Sequence, residues 1–502
     1  MTEKWKRFDS EKLLLLLLLL LSAAVRIFFL FKFENLPGDA VGFIAEALRI
    51  LENPDLLSNY DGNSSTLYKY ALASCIYFWR DPILASRIFT SLFGIFLVVP
   101  YYGTLKVLFG RPVAFFSSLV LVFYPLHVIQ SSMTTSDAVY YFFLFGSFYY
   151  FFSYKGSPQR FRVLLLSALS FNIASLLRFE CWVFIPVLSL LLWPKGKGVA
   201  LFFMVLCMVF PCLQLLLNQI FTGDCLYSFH KPGQAGYASI MAGRFSYDPR
   251  LWSWLAVLWR SSGPSLVIGG LSGIALAFLM RQKRQWSVFF LLLLLAFTVN
   301  TLFARMVTGL RYSITPALFL IPYAWFFAER ILVLLRIKKR AWLALFLIFF
   351  GIDFSQTVPK AISQTAEMIC VTPPGIINIA GWLKDHVRGG ETMVIGADRN
   401  DVWQSNIALR SGIPPQRYFI VLTPLGFMDY PFKTKEGCQR YFLGDRTRYL
   451  VLNSEGYLQK ILNLRLDEKK QTLGDISFEM VYEQEVLPGY GKYLIYRISY
   501  EN

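Results

Sequence analysis

The chain reads as a polytopic α-helical membrane protein of about eleven spans, followed by a soluble C-terminal α/β domain, on three observations. Of its 502 residues, 55% are hydrophobic and only 16% charged, against the roughly one quarter charged in soluble domains. Apolar runs near the ~20 residues that cross a bilayer as a helix recur through residues 1–358. They are continuous rather than alternating, which argues against a strand-built barrel. From residue 359 to 502 acids and bases nearly balance and the apolar runs shorten to strand length.

The spans fall near 13–31, 84–108, 112–131, 138–154, 163–177, 181–193, 199–221, 251–280, 286–304, 312–334 and 341–358. Lys4, Lys6, Arg7 and Lys12 precede the first, as in a signal peptide. Its apolar stretch continues through Phe28–Phe31, however, beyond a signal core of ~7–15 residues, so it reads as a retained anchor. The fifth and sixth spans are short and are divided only by Arg178-Phe179-Glu180.

Orientation follows from the basic residues, because short loops that keep Lys and Arg stay cytoplasmic. Alternate connections hold Lys106/Arg111, Arg160/Arg162, Lys195/Lys197, Arg281/Lys283/Arg284 and Arg336/Lys338/Lys339/Arg340. The opposite connections hold most carboxylates of the membrane part, including Glu34, Asp39, Glu52, Asp61, Asp81, Asp137 and Asp224. The N-terminus is therefore expected in the cytoplasm and the tail outside it, which in a bacterium means the inner (plasma) membrane and the periplasm. The net charge of +17 reflects this orientation and not a nucleic-acid surface.

In the tail, strands are expected over 392–397, 417–422, 448–452, 476–482 and 492–498, with helices over 376–387 and 435–442. Cys370 and Cys438 both fall there, where a disulfide is permitted and two free thiols are equally compatible. No pair of cysteines has CxxC spacing.

Four features mark the outer face. Asp39, in the outer loop 32–83, follows Leu36-Pro37-Gly38; it reads as a helix N-cap or as a general base at the membrane rim, roles that one residue can combine. Asp137, after Met133-Thr134-Thr135-Ser136, opens the fourth span and is again either a cap or a functional carboxylate. Lys69, Arg87, Arg178 (beside Glu180) and Arg311 (before Tyr312) are cations without nearby acid partners in the same face. They suit phosphate oxygens, or snorkel to lipid headgroups. The outer loop 222–250 carries His230, Lys231 and several glycines, reading as a flexible loop or an acceptor-binding lid.

The order of segments resembles the GT-C-fold glycosyltransferases of the protein O-mannosyltransferase and aminoarabinose-transferase type (glycosyltransferase family 39-like). The corresponding residues are Asp39, Thr66-Leu67-Tyr68-Lys69-Tyr70, Ala85-Ser86-Arg87 through Gly94, Phe109-Gly110-Arg111, Tyr124-Pro125 and Ser136-Asp137. Arg178-Phe179-Glu180-Cys181-Trp182 and Arg311-Tyr312 with Pro316 continue the likeness. Ala40 stands where the family pattern has a second acid, and the Pro-Pro before the tyrosine is absent. The Trp-Trp-Asp-Tyr-Gly signature of oligosaccharyltransferase catalytic subunits is also absent.

The resemblance implies a transferase that moves a sugar from a polyprenyl-phosphate donor to a glycan, lipid or protein acceptor at the outer membrane face. Asp39 would be the general base. Asp137 would orient the acceptor or sugar or, if one is used, help hold a divalent metal; no other cofactor is implied. Substrate contacts would come from Lys69, Arg87, Arg178, Glu180, His230, Arg311 and Tyr312. A lipid-linked sugar flippase or transporter, or a polysaccharide polymerase or ligase, would use the same donor class. A transporter is expected to show an internal repeat and broken helices near the midplane, and no repeat is evident.

Overall fold

A computed structural model describes residues 2–32, 38–55, 62, 66–154, 161–230, 252–280, 284–302, 310–334, 374–396, 401–421, 432, 434–486 and 491–500, with scattered positions between 336 and 357. By packing, the chain divides into two units. The first comprises Met1–Lys32, Leu56–Cys75 and Ile83–Gln364; the second comprises Phe33–Asp55, Ile76–Pro82 and Thr365–Asn502.

The first unit is a bundle of apolar helices. Among the described residues, four helices are long and apolar enough to cross a membrane: Glu11–Lys32, Pro82–Phe109, Lys197–Thr222 and Arg311–Leu334. A fifth arises if Arg111–Phe123 and Pro125–Ser132 count as one span bent by 57°. The bend has a local cause. Pro125 has no N–H to continue the ladder, and Tyr124 sits between the two helices in extended conformation.

The run 251–280, read from sequence as one span, is two helices, Ser253–Ser262 and Pro264–Leu279, separated at Gly263 with φ +87°. The run 181–193 is a 3-10 turn, Phe179–Val183, leading into a short helix, Phe184–Leu192. The predicted span 341–358 lies largely outside the described residues.

Small residues let helices approach closely. A Cβ at Gly273 would stand 2.7 Å from the Tyr323 carbonyl carbon. Gly269 and Gly273 form the small-xxx-small spacing that brings membrane helices together, here Pro264–Leu279 against Ile314–Leu334. Phe145, Phe148, Phe184, Trp286, Phe289 and Phe319 form an aromatic core with ring centroids 4.8–6.2 Å apart.

The second unit holds a six-stranded mixed sheet in the order β2-β1-β3-β6-β5-β4. Its strands are β1 Met393–Ile395, β2 Tyr418–Ile420, β3 Tyr449–Asn453, β4 Lys470–Leu473, β5 Ile476–Glu485 and β6 Lys492–Tyr500. β1 runs parallel to β2 and β3, and the other pairs are antiparallel. Successive strand residues face opposite sides. Leu450, Leu452, Leu494 and Tyr496 join the core with Cys438 and Phe442 of helix Lys435–Asp445. Tyr449, Val451, Tyr493 and Ile495 join the core with Ile379 and Leu383 of helix Pro374–His386 and Ile407 of helix Asp401–Arg410. Cys438 is a buried free thiol; Cys370 lies outside the described residues.

Helix Gly38–Glu52 belongs to this second unit and packs on helix Asp401–Arg410 and the turn Pro415–Arg417. Asp39 lies in its first turn, with its side chain outside the described atoms.

Candidate functional site

Five of the residues singled out in the sequence come together in the first unit around Asp137. This residue is 1% exposed and is the first residue of helix Asp137–Ser153. Ser136 holds the N-cap position, so the capping alternative for Asp137 is set aside. Its carboxylate turns instead to two arginines. Arg178 Nη1 donates to Oδ1, and Arg311 Nε donates to Oδ2 at 2.8 Å.

Arg178 is held a second time, by Glu180. Nε donates to both Glu180 oxygens at 3.1 and 3.2 Å, and Nη2 donates to Oε1 at 2.6 Å. The Tyr140 and Tyr312 rings lie 5.8 and 5.7 Å from the Arg178 guanidinium carbon, within cation–π range. The expectation that Arg178 and Arg311 lack nearby acid partners in the same face is therefore corrected. One carboxylate, distant in sequence, ties both.

Local structure explains why these side chains meet. Arg178 is an extended residue breaking the chain between helix Phe161–Leu177 and the turn Phe179–Val183. That break throws the guanidinium toward Asp137 while Glu180, two residues on, folds back to it. Arg311 lies in the turn Leu310–Ser313 that leads into helix Ile314–Leu334. The turn is anchored by Ser313, whose hydroxyl donates to Ser261 at 2.8 Å. Asp137, Glu180, Arg178 and Arg311 sum to zero formal charge, which is what makes burial of Asp137 tolerable.

Arg87 takes a different position from the one expected. It is buried, and its Nε donates to the Ser132 carbonyl at 3.2 Å and its Nη2 to Phe29 O at 3.4 Å. A guanidinium at the C-terminal carbonyl of helix Pro125–Ser132 opposes the negative end of the helix dipole. Arg87 thus holds backbone just ahead of Met133–Asp137. Lys69 is buried, on the helix Thr66–Trp79 where Tyr68 bonds Thr90 at 2.8 Å.

His230 does not join the cluster; it pairs with Asp224, Nδ1 to Oδ2 at 2.6 Å. Loop residues 231–250, the remainder of the expected lid, lie outside the described residues. Among the described residues no three His, Cys, Asp or Glu side chains gather as metal ligands.

Sequence reading missed Arg26 and His127. Arg26 is fully buried in the first span. Its Nε donates to Ser131 at 3.0 Å, Nη1 to Ser22 Oγ at 2.7 Å, and Nη2 meets His127 Nδ1 at 2.8 Å. Because a guanidinium only donates, His127 Nδ1 accepts and its proton sits on Nε2. Gly94, part of the Ala85-to-Gly94 segment, makes room: a Cβ there would stand 2.8 Å from both Arg26 Nε and Ser131 Oγ. A lone Arg in an apolar helix was signal enough to notice it.

No protein-family model matches the sequence, and no curated protein does. Solved structures do match. ArnT from Cupriavidus metallidurans in the apo state aligns with TM-score 0.62 and 11% identity over 96% of this chain and 97% of that one. The same protein bound to undecaprenyl phosphate aligns at 0.61 and 10% identity, again over 96% and 97%. An Archaeoglobus fulgidus oligosaccharyltransferase, in a structure with zinc and sulfate, aligns at 0.59 and 12% identity over 88% of this chain and 68% of its own. This chain is an integral membrane protein with the GT-C fold that its segment order suggested, matched over both the membrane helices and the C-terminal sheet.

Proposed function

We propose that the chain is a glycosyltransferase that moves a sugar from a polyprenyl-phosphate carrier to an acceptor hydroxyl or amine at the outer membrane face. The observation that carries this reading is the buried Asp137–Arg178–Arg311 cluster within a fold shared with a protein solved with undecaprenyl phosphate.

In the reaction, an acceptor lone pair attacks the anomeric carbon as the bond from that carbon to the phosphate oxygen breaks. The bonding electrons leave on the lipid phosphate, and the acceptor proton passes to Asp39, the proposed general base. Charge building on the phosphate calls for preorganised donors. Arg178 spends three of a guanidinium's five N–H groups on Asp137 and Glu180. That leaves two, which are proposed to donate to a phosphate oxygen. Arg311 and Lys69 are proposed to add charge to the same end of the substrate, with Tyr312 against it. Asp137 then acts by fixing both arginines, rather than by touching the acceptor.

The test is donor turnover by purified protein in nanodiscs, with labelled polyprenyl-phosphate sugars and a membrane extract as acceptor. Wild type is expected to release polyprenyl phosphate with labelled product, and Asp39→Asn to lose this while folding normally. Equal turnover by the two proteins would remove Asp39 from the role of base.

A further inference from the structure

A second site opens at the opposite end of the membrane unit. A groove of about 490 Å³, inside the ~300–1,000 Å³ range of ligand pockets, runs between the first span and helices Val98–Phe109 and Asp137–Ser153. Its length matches one leaflet. From Lys106 to Val99 the helix rises ~10 Å, and from Ser153 to Phe142 ~16 Å, at ~1.5 Å per residue. Half of a ~30 Å hydrocarbon core is ~15 Å.

The walls are aromatic and small: Phe142, Phe143 and Tyr149 stand beside Gly103 and Gly146. Tyr149 covers Gly103, where a Cβ would stand 2.7 Å from its ring, whereas a Cβ at Gly146 would meet only Ser170 Oγ at 3.9 Å. The floor at Gly146 is therefore open.

Among the described lining residues, the charged ones, Glu11 and Lys106, sit at the mouth. Lys106 and Arg111 both pair with Glu11, Arg111 at 2.8 Å, which leaves one net positive charge at interface depth. Their side chains remain 38% and 51% exposed, against 17% for Glu11, so the cations face outward past the carboxylate.

We propose that this groove binds an anionic phospholipid, with one acyl chain along Gly146 and its phosphate on Lys106 and Arg111. The occupant is a leaflet lipid rather than the sugar carrier. The groove spans one leaflet only, and it opens at the end carrying the basic connections, away from the face proposed for transfer. The proposal rests on the membrane reading of the fold, and it is independent of which reaction the protein performs.

The test uses chain-spin-labelled phosphatidylglycerol and phosphatidylcholine with the full-length protein in nanodiscs. Wild type is expected to hold a motionally restricted lipid fraction in excess of Gly146→Leu, with phosphatidylglycerol preferred. Lys106→Gln is expected to keep the restricted chain and lose the headgroup preference. Identical restricted fractions in wild type and Gly146→Leu would overturn the site. So would displacement of the label by undecaprenyl phosphate but not by unlabelled phosphatidylglycerol, which would assign the groove to the carrier. Sugar transfer measured in the same discs separates the two readings: discs that transfer but restrict no lipid refute the groove alone.

Discussion

Replacing Asp137 with Asn keeps the size of the side chain but removes its charge and one of the two oxygens that accept from the arginines. The cluster then changes from zero net charge to +1, around a side chain that is 1% exposed. Breaking a buried, hydrogen-bonded pair costs ~3–5 kcal/mol, because the partner cations stay desolvated. The compensating experiment sharpens the expectation. Arg311→Gln added to Asp137→Asn restores neutrality and should recover part of the loss, as a coupling of ~0.5–3 kcal/mol. Arg178→Gln added instead leaves Glu180 without its partner and should recover less. The assay is thermal unfolding of purified protein by intrinsic tryptophan fluorescence, with Asp137→Asn, Arg311→Gln, the two double variants and wild type in one detergent. An Asp137→Asn protein as stable as wild type, or strict additivity with Arg311→Gln, would refute the claim that one carboxylate holds both arginines.

Other outcomes follow from the same structure. Gly94→Leu should drive a side chain into Arg26 and Ser131, lowering yield and melting temperature more than Gly146→Leu, where the added atoms have space. Gly273→Leu should separate helices Pro264–Leu279 and Ile314–Leu334, read as loss of a monodisperse peak in size-exclusion chromatography. Cys438 is fully buried and its thiol is pushed up to about 12 by burial, so mass mapping after maleimide treatment at neutral pH should find it modified only in unfolded protein. Asp224 is held below the usual carboxylate range by its hydrogen bond from His230. A depressed acid contributes stability above its unfolded pKa and loses it as pH falls through the folded value. Proteolysis of the loop after Thr222 should therefore quicken below about pH 4, and Asp224→Asn should remove that pH dependence.

The parts of this architecture that were legible in the sequence are those that local pattern controls. Continuous apolar runs marked the four long apolar helices among the described residues, and short apolar runs located β1, β2, β3, β5 and β6. β4 escaped because Lys470–Leu473 is polar and half exposed; only the Gly474-Asp475 turn that pairs Leu473 with Ile476 betrays it. Breaks inside apolar runs were harder to see. Hydropathy does not register Gly263 or Tyr124-Pro125 as interruptions, although backbone geometry does.

At the site, the residue types were readable but their relations were not. Asp137, Arg178, Glu180 and Arg311 were each visible as charges at helix ends. Their pairing depends on three chain segments meeting, and no local spacing encodes that. The bonds from Arg87 to the backbone carbonyls of Phe29 and Ser132 were unreadable for the same reason. Arg26 is the exception: one charge within a long apolar span was legible in the sequence and was passed over.

Sugar transfer, as opposed to movement of an intact lipid-linked sugar, is tested most directly in sealed proteoliposomes. Polyprenyl-phosphate donor doubly labelled in sugar and lipid would be supplied with an acceptor extract. The account predicts that the labels part: sugar appears on acceptor, and lipid label is recovered as free polyprenyl phosphate in equal amount, with wild type but not with Asp39→Asn. Labels that stay together while the donor crosses the bilayer would contradict it and assign the protein to transport.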